Sequence, residues 1–152
     1  MTEASIGQES PRAEGVRALL EQSWAFSDSL YPAESNHHLD EVGLDRPGIV
    51  FFVARQDGRA LGCGALSTLG FAYGEIKSLF VLPDARGRGL ARRLLAAIER
   101  EGRSQGLSVL RLETGIRQPE AIGLYEAVGF LRIPPFGDYA EDPLSIFMEK
   151  AV

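Results

Sequence analysis

The feature that most constrains the fold is an abrupt change of hydrophobic period in the middle of the chain. Glu75 to Val81 is a strand-like run that stops before Pro83. From Leu90 to Ile98, apolar residues then repeat every three or four positions, as in an amphipathic helix. Val109 to Glu113 follows as another strand candidate. A strand, a helix and a strand in this order predict a right-handed crossover between two parallel strands.

The flanking segments predict the remaining elements. Asp57-Gly58 is a hairpin signal between two strand candidates, residues 48–55 and 60–69. Residues 1–11 are left open between a short edge strand and a loose tail. The other predicted elements are a helix from about Pro11 through Trp24, a loop at 27–38, a helical turn at 39–44, a helix from Pro119 ended by Gly129, and a strand at 146–148. The order predicts an α/β chain, with a mixed sheet and helices on both faces, in one domain of residues 1–152.

Composition removes several classes of function. The net charge is −5, so the chain lacks the basic surface of a nucleic-acid-binding protein. No apolar run approaches the roughly 20 residues that span a bilayer, and the N-terminus lacks the pattern of a signal peptide. The single cysteine, Cys63, excludes an internal disulfide. We expect a cytoplasmic protein with neither a membrane nor a nucleic acid as its partner.

A glycine-rich loop, Arg86-Gly87-Arg88-Gly89-Leu90-Ala91, joins the strand to the helix. A helix N-terminus offers unpaired N–H groups and a partial positive charge, and glycines let the backbone approach a ligand closely. A P-loop would require Lys-Ser/Thr, which is absent, and a dinucleotide fingerprint would require glycine where Arg92 stands. The loop therefore predicts a site for some other phosphorylated ligand.

Three motifs in order identify a family. The loop matches Arg/Gln-x-x-Gly-x-Gly/Ala, the strand before it ends in Val81-Leu82-Pro83, and residues 118–130 match Asn-x-x-Ala-x-x-Leu-Tyr-x-x-x-Gly-Phe with Gln118 in place of Asn. Together they resemble the GNAT superfamily of acetyl-CoA-dependent N-acetyltransferases, small bacterial members in particular. The resemblance covers residues 48–150 well and the first 45 loosely. It implies the GNAT fold, a mostly antiparallel sheet with one parallel strand pair splayed at the CoA site.

The resemblance also implies how acetyl-CoA, the donor substrate, would bind. The pantetheine arm would pair with the backbone of Leu79, Phe80 and Val81, and an N–H near Phe80 would hold the thioester carbonyl. The pyrophosphate would rest on the N–H groups of the loop. The implied donor contacts are completed by Gln118, Tyr125, Arg86, Gly87, Arg88, Gly89, Leu90 and Ala91.

For the chemistry, the resemblance implies direct attack of a primary amine on the thioester in a ternary complex. Tyr125 stands at the family position of the general acid that protonates the CoA thiolate. Glu75 is the candidate base, directly or through water, with Glu113 and a histidine as alternatives. No metal is expected, since His37-His38 lack further ligands at suitable spacing.

The sequence does not identify the acceptor, which is left as a small molecule or a peptide. Tyr31, His37, Arg117, Phe136 and Tyr139 are the candidate acceptor contacts, and Arg117 could hold a carboxylate. Each could also be an ordinary surface or core residue. Two other functions stay open: a sensor that binds acyl-CoA without catalysis, and a transferase that uses another acyl-CoA or an oxygen acceptor. A homodimer is also left open.

Overall fold

A computed structural model describes residues 3–68 and 72–152, and within them seven strands form one mixed sheet. Single turns of 3-10 helix lie at Ala33–Ser35 and Pro83–Ala85. The helices and strands, in chain order, are β1 (Ser5–Gln8), α1 (Val16–Leu30), α2 (Glu41–Leu44), β2 (Ile49–Gln56), β3 (Arg59–Ser67), β4 (Gly74–Val81), α3 (Leu90–Ser104), β5 (Val109–Gly115), α4 (Pro119–Ala127), β6 (Leu131–Ile133) and β7 (Ser145–Ala151).

The strand order across the sheet is β1-β2-β3-β4-β5-β7-β6. Every neighbouring pair is antiparallel except β4 and β5, which are parallel and are joined by α3. This confirms the predicted mixed sheet with one parallel pair, and helices cover both of its faces. None of the helices in the described ranges is long and apolar enough to cross a membrane.

Two glycines of β3 let α3 lie close to the sheet. A Cβ at Gly62 would be 3.3 Å from Leu94 Cδ1, and a Cβ at Gly64 would be 3.1 Å from Ile98 Cδ1. Leu94 and Ile98 are fully buried at this contact. The glycines therefore give up side-chain packing within the strand in exchange for close packing of the helix that carries the phosphate loop.

Two differences from the sequence prediction concern α1 and β6. Ser27 was expected to begin a loop, but helix α1 continues to Leu30. The polar side chains are accommodated there because the Ser27 hydroxyl donates to Asn36 and the Ser29 hydroxyl donates to the Phe26 carbonyl. Strand β6 was not predicted, since three residues carry no measurable period. Residues 5–8 form an edge strand, which settles that open alternative.

Two parts of the sequence prediction fall outside the described residues. They are Leu69, the predicted end of the second hairpin strand, and the first two residues of the segment 1–11.

Candidate active site

The parallel strands β4 and β5 separate soon after they begin. They pair only at Gly74 with Leu110 and at Glu75 with Arg111, although both strands continue well beyond these positions. Within β4, Ser78 adopts a positive φ of 57° at a bulge against β3. The bulge and the early end of pairing leave a gap between the strand ends, as a splayed pair requires.

Two residues of β4 turn their backbone groups into this gap. The Ser78 carbonyl accepts a hydrogen bond from the Cys63 thiol of β3 at 3.3 Å, so the N–H of Leu79, on the same trans peptide, points the opposite way. By the same geometry, the N–H of Leu82 bonds the Leu61 carbonyl, which turns the Val81 carbonyl toward the gap. The gap-facing N–H nearest to Phe80 is therefore that of Leu79, one residue earlier.

The glycine-rich loop lies beyond the end of β4. Gly87 and Gly89 have φ of 80° and 75°, in the left-handed region that side chains disfavour, and a Cβ at either would meet only open space. Gly89 caps the N-terminus of α3, so the N–H groups of Leu90, Ala91 and Arg92 have no helical acceptor. The loop thus offers a row of N–H donors at the positive end of a helix.

The arginines around the loop have different tasks. Arg88 donates to Gln56 and to the Asp84 carbonyl, and Arg93 donates to the Ala4 carbonyl at 2.8 Å, which ties down the chain before β1. Arg86 donates to the Val81 carbonyl at 3.1 Å. The side chain of Arg92 is exposed beside the loop and makes no hydrogen bond or ion pair with the described residues. Arg92 is therefore the cation most available to an anionic ligand.

Two cavities meet between the strand ends. A groove of about 520 Å³ runs along the end of β4, the loop and the start of α4. A smaller cavity of about 120 Å³ lies between the C-terminal half of α1, the following loop and the strands β4 and β5. The residues that line both are Phe26, Leu79, Phe80, Gln118 and Tyr125. A ligand in the groove would thus reach a second ligand in the smaller cavity beside Tyr125.

Tyr125 is 7% exposed and packs against the ring of Phe130, with ring centroids 5.7 Å apart. Its hydroxyl makes no hydrogen bond within the described ranges. Burial, and the nearby Glu113 carboxylate, raise the pKa of Tyr125 above its ordinary value. The phenol is therefore protonated at neutral pH and has a free O–H at the junction of the two cavities.

Glu113, at the end of β5, is the carboxylate that lines the smaller cavity. It accepts a hydrogen bond from the Ser145 hydroxyl at 2.9 Å. Burial raises the pKa of Glu113, and the hydrogen bond from Ser145 and the charges of His37 and Lys77 oppose that rise. A carboxylate with a raised pKa is a stronger base than an exposed one.

Glu75 lies in a tight cluster behind the cavity wall. Its carboxylate accepts a short hydrogen bond from the Tyr139 hydroxyl and pairs with the Lys77 ammonium at 3.3 Å. Lys77 also donates to Tyr139 at 2.9 Å and to the His37 carbonyl at 3.1 Å. His37 lines the smaller cavity, whereas Glu75 and Tyr139 do not. Glu113 therefore has more direct access to the cavity than Glu75.

Tyr31 and Arg117 make structural contacts. Tyr31 is 8% exposed; its hydroxyl donates to Gln118 Oε1 and accepts from the N–H of Arg117, both at 3.1 Å. The Arg117 guanidinium donates to the Leu30 carbonyl at 2.5 Å and does not line the smaller cavity, which Tyr31 does. The contacts of both join the end of α1 to the turn between β5 and α4.

Phe136 is also placed away from the cavity. It is buried among the rings of Tyr73, Tyr139 and Phe147, so it supports the wall from behind. The sequence did not point to Phe26, which lines both cavities, because the helix was expected to end near it. Within residues 3–68 and 72–152, no group of three or more His, Cys, Asp or Glu side chains could hold a metal ion.

Comparisons with known proteins agree with this geometry. The family model described as Acetyltransferase (GNAT) family matches residues 14–130. The chain is 50% identical over 152 residues to an "IAA acetyltransferase" of Azospirillum brasilense, with 99% of both chains covered. It is 40% identical over 121 residues to an uncharacterized N-acetyltransferase, YsnE, of Bacillus subtilis, covering 78% of this chain and 80% of the relative.

Solved structures share the fold. A Klebsiella pneumoniae protein, named an acyl-CoA N-acyltransferase of inferred function, superposes with a TM-score of 0.81 at 34% identity over 97% of both chains. The PaiA N-acetyltransferase of Thermoplasma acidophilum, solved in complex with coenzyme A, gives a TM-score of 0.75 at 18% identity over 99% of this chain and 100% of that one.

Proposed function

The chain belongs to the GNAT acetyltransferase family, and from that premise we propose that it transfers acetyl from acetyl-CoA directly to a primary amine in a ternary complex. The observation that carries the proposal is the meeting of the two cavities at Tyr125. A donor in the groove and an amine in the smaller cavity would touch there without a covalent enzyme intermediate. Proximity of this kind supplies a large part of a bimolecular rate enhancement.

The donor would lie along the groove from the loop to the gap. Its pyrophosphate would accept from the N–H groups of Leu90 and Ala91, with Arg92 adding charge. Its pantetheine arm would pair with the gap-facing backbone of Leu79 and Val81. The N–H of Leu79 would then hold the thioester oxygen as negative charge develops on it.

Proton transfer would use the two groups that face the junction. We assign Tyr125 as the acid for the departing CoA thiolate, since its hydroxyl is protonated and unengaged. We assign Glu113, in place of Glu75, as the base that accepts the ammonium proton, because Glu113 lines the cavity and has a raised pKa. Glu75 would then hold Lys77 and Tyr139 in the wall.

The test measures release of the free CoA thiol when the protein is incubated with acetyl-CoA and a panel of amines. Direct titration of CoA into the protein measures CoA affinity separately. We expect Tyr125→Phe to lower kcat by about 10²-fold or more while CoA affinity changes less than about twofold. An unchanged rate removes Tyr125 as the acid. If Gly89→Glu leaves CoA affinity intact, the loop does not bind the pyrophosphate.

The same panel separates the remaining functions. Tight CoA binding with no thiol release on any amine would favour the acyl-CoA sensor. Faster thiol release with a longer acyl-CoA, or with an alcohol as the acceptor, would favour a different acyl transfer. Glu113→Gln should reduce the rate more than Glu75→Gln, and the reverse order would return the base to Glu75.

A further inference from the structure

We propose that the acceptor is a small cationic amine that carries hydroxyl groups and no carboxylate, such as an amino alcohol. The inference rests on the proposed acetyl transfer and names the substrate class of the same site. Three properties of the smaller cavity carry it: its volume, its charge and its hydroxyl lining.

The volume of the cavity limits the size of the acceptor. The segment after α1 and the segment between β6 and β7 meet across its outer side, where the Ser35 hydroxyl donates to Asp142 Oδ2 at 2.5 Å. The His37 ring also meets the edge of the Tyr139 ring, with centroids 5.2 Å apart. The space left is about 120 Å³, and a cavity of about 150 Å³ in another protein accepts benzene. A molecule of about six heavy atoms therefore fits this volume, which is too small for an extended peptide.

The charges of the lining favour a cation over an anion. Glu113 is the carboxylate in the lining, and the proposed function makes it the base for the amine. The Lys77 ammonium is already engaged by Glu75, Tyr139 and the His37 carbonyl. The Arg117 guanidinium, which an acceptor carboxylate would need, is engaged by the Leu30 carbonyl outside the cavity.

The two histidines do not reverse this balance. The His38 ring nitrogen lies 3.4 Å from Asp28 Oδ1, so any positive charge on it is offset there. The charge of His37 acts on Glu113, where it opposes the effect of burial on the carboxylate pKa. Tyr31, Tyr125 and Tyr139, the remaining titratable groups near Glu113, are neutral because their pKa values are raised. A carboxylate in this cavity would therefore meet Glu113, and each cation of the described lining already acts on a carboxylate of the protein.

The hydroxyl lining explains which neutral groups the acceptor would carry. Ser78 and Thr114 line the cavity, and neither hydroxyl has a partner among the described residues. The Ser78 oxygen is fully buried, so it reaches a ligand only after its side chain rotates toward the cavity. A buried hydroxyl without a partner is uncommon in native structures and is accounted for when a ligand completes it. Hydroxyl groups on the acceptor can both donate to and accept from these side chains.

The test compares serinol, free serine and a short peptide amide with an N-terminal serine, which present the same amine with different neighbours. With acetyl-CoA at saturation, we expect kcat/KM for serinol to exceed that for serine and for the peptide by at least about tenfold, which corresponds to about 1.4 kcal/mol. Equal or faster turnover of serine or of the peptide overturns the substrate class while leaving acetyl transfer standing. No transfer to any amine, with CoA still bound, overturns acetyl transfer itself and this inference with it.

A second measurement isolates the charge argument from catalysis. Calorimetric titration of serinol and of serine into the CoA-saturated protein gives a ratio of dissociation constants that requires no turnover. We expect Glu113→Gln to bring the serine-to-serinol ratio at least about threefold closer to one, because the repulsion of the serine carboxylate is removed. Glu126→Gln, a change on the exposed side of α4, is the control and should keep the wild-type ratio. An unchanged ratio in Glu113→Gln overturns the role assigned to its charge.

Discussion

Gly115→Ala tests the contact that joins α1 to the turn before α4. A Cβ at Gly115 would lie 1.8 Å from the Tyr31 hydroxyl oxygen and 2.0 Å from its Cζ, so no small adjustment can accommodate it. Gly115 is not among the positive-φ glycines, so alanine adds no backbone strain. The whole cost should come from expulsion of the Tyr31 ring.

The magnitude follows from what the ring loses. Truncation of a buried aromatic side chain costs about 3–5 kcal/mol, and expulsion of Tyr31 removes similar packing together with its bonds to Gln118 and Arg117. We expect Gly115→Ala to lower the free energy of unfolding by about 3–5 kcal/mol and Tm by about 6–20 °C, measured by urea and thermal denaturation. Gly123→Ala in α4, where a Cβ meets open space, is the matched control and should be neutral or stabilising by about 0.5–1 kcal/mol.

A double-mutant cycle decides whether the ring is the cause. Tyr31→Ala alone should also cost about 3–5 kcal/mol. Once the ring is absent, Gly115→Ala should add almost nothing, so the double variant should lose about 3–5 kcal/mol and not about 6–10. Additive losses would refute the reasoning, as would a Gly115→Ala variant with wild-type stability.

Three further predictions concern single side chains. Arg92→Ala should weaken CoA binding about three- to tenfold, with a shallower salt dependence, whereas Arg93→Ala should leave CoA affinity unchanged and lower Tm through loss of its bond to Ala4. Burial raises the pKa of Glu113, so its folded form holds a proton more firmly than its unfolded form, and stability is lost as pH rises through the folded pKa. Glu113→Gln should therefore raise Tm near neutral pH, with the gain vanishing below about pH 4.5, the ordinary pKa of the group; an equal gain at every pH would contradict this. Burial raises the pKa of Cys63 to about 12, so Ellman's reagent should find no thiol in the native protein and one after unfolding.

The elements that carry the proposed donor site could be predicted from the sequence because their residues are neighbours in the chain. The turn from strand to helix at Gly89 and the run that contains Tyr125 are local patterns, and the structure keeps both in the expected elements. The N–H that would hold the thioester was expected near Phe80, whereas we propose that of Leu79, because no residue type marks a bulge such as the one at Ser78.

The acceptor side could not be predicted in the same way because its contacts join distant segments. Arg117 was predicted to touch the acceptor, yet its guanidinium is bonded to Leu30, 87 positions away along the chain. Tyr31 does line the smaller cavity, but its hydroxyl is bonded to the backbone of Arg117, 86 positions away. Glu113 becomes the preferred candidate for the base only in the folded structure, where Lys77 and Tyr139 occupy the carboxylate of Glu75. Composition and spacing do not predict which polar groups form hydrogen bonds with each other after folding.

The bond between Ser35 and Asp142 has a consequence for how such a chain can change over generations. Its two residues are 107 positions apart, and neither lines the groove that would take the donor. Substitutions or short insertions in either segment can therefore change the shape of the smaller cavity while the groove keeps its lining residues. Under the proposed function, substitutions in these two segments could change the preferred amine while each intermediate variant still binds the donor.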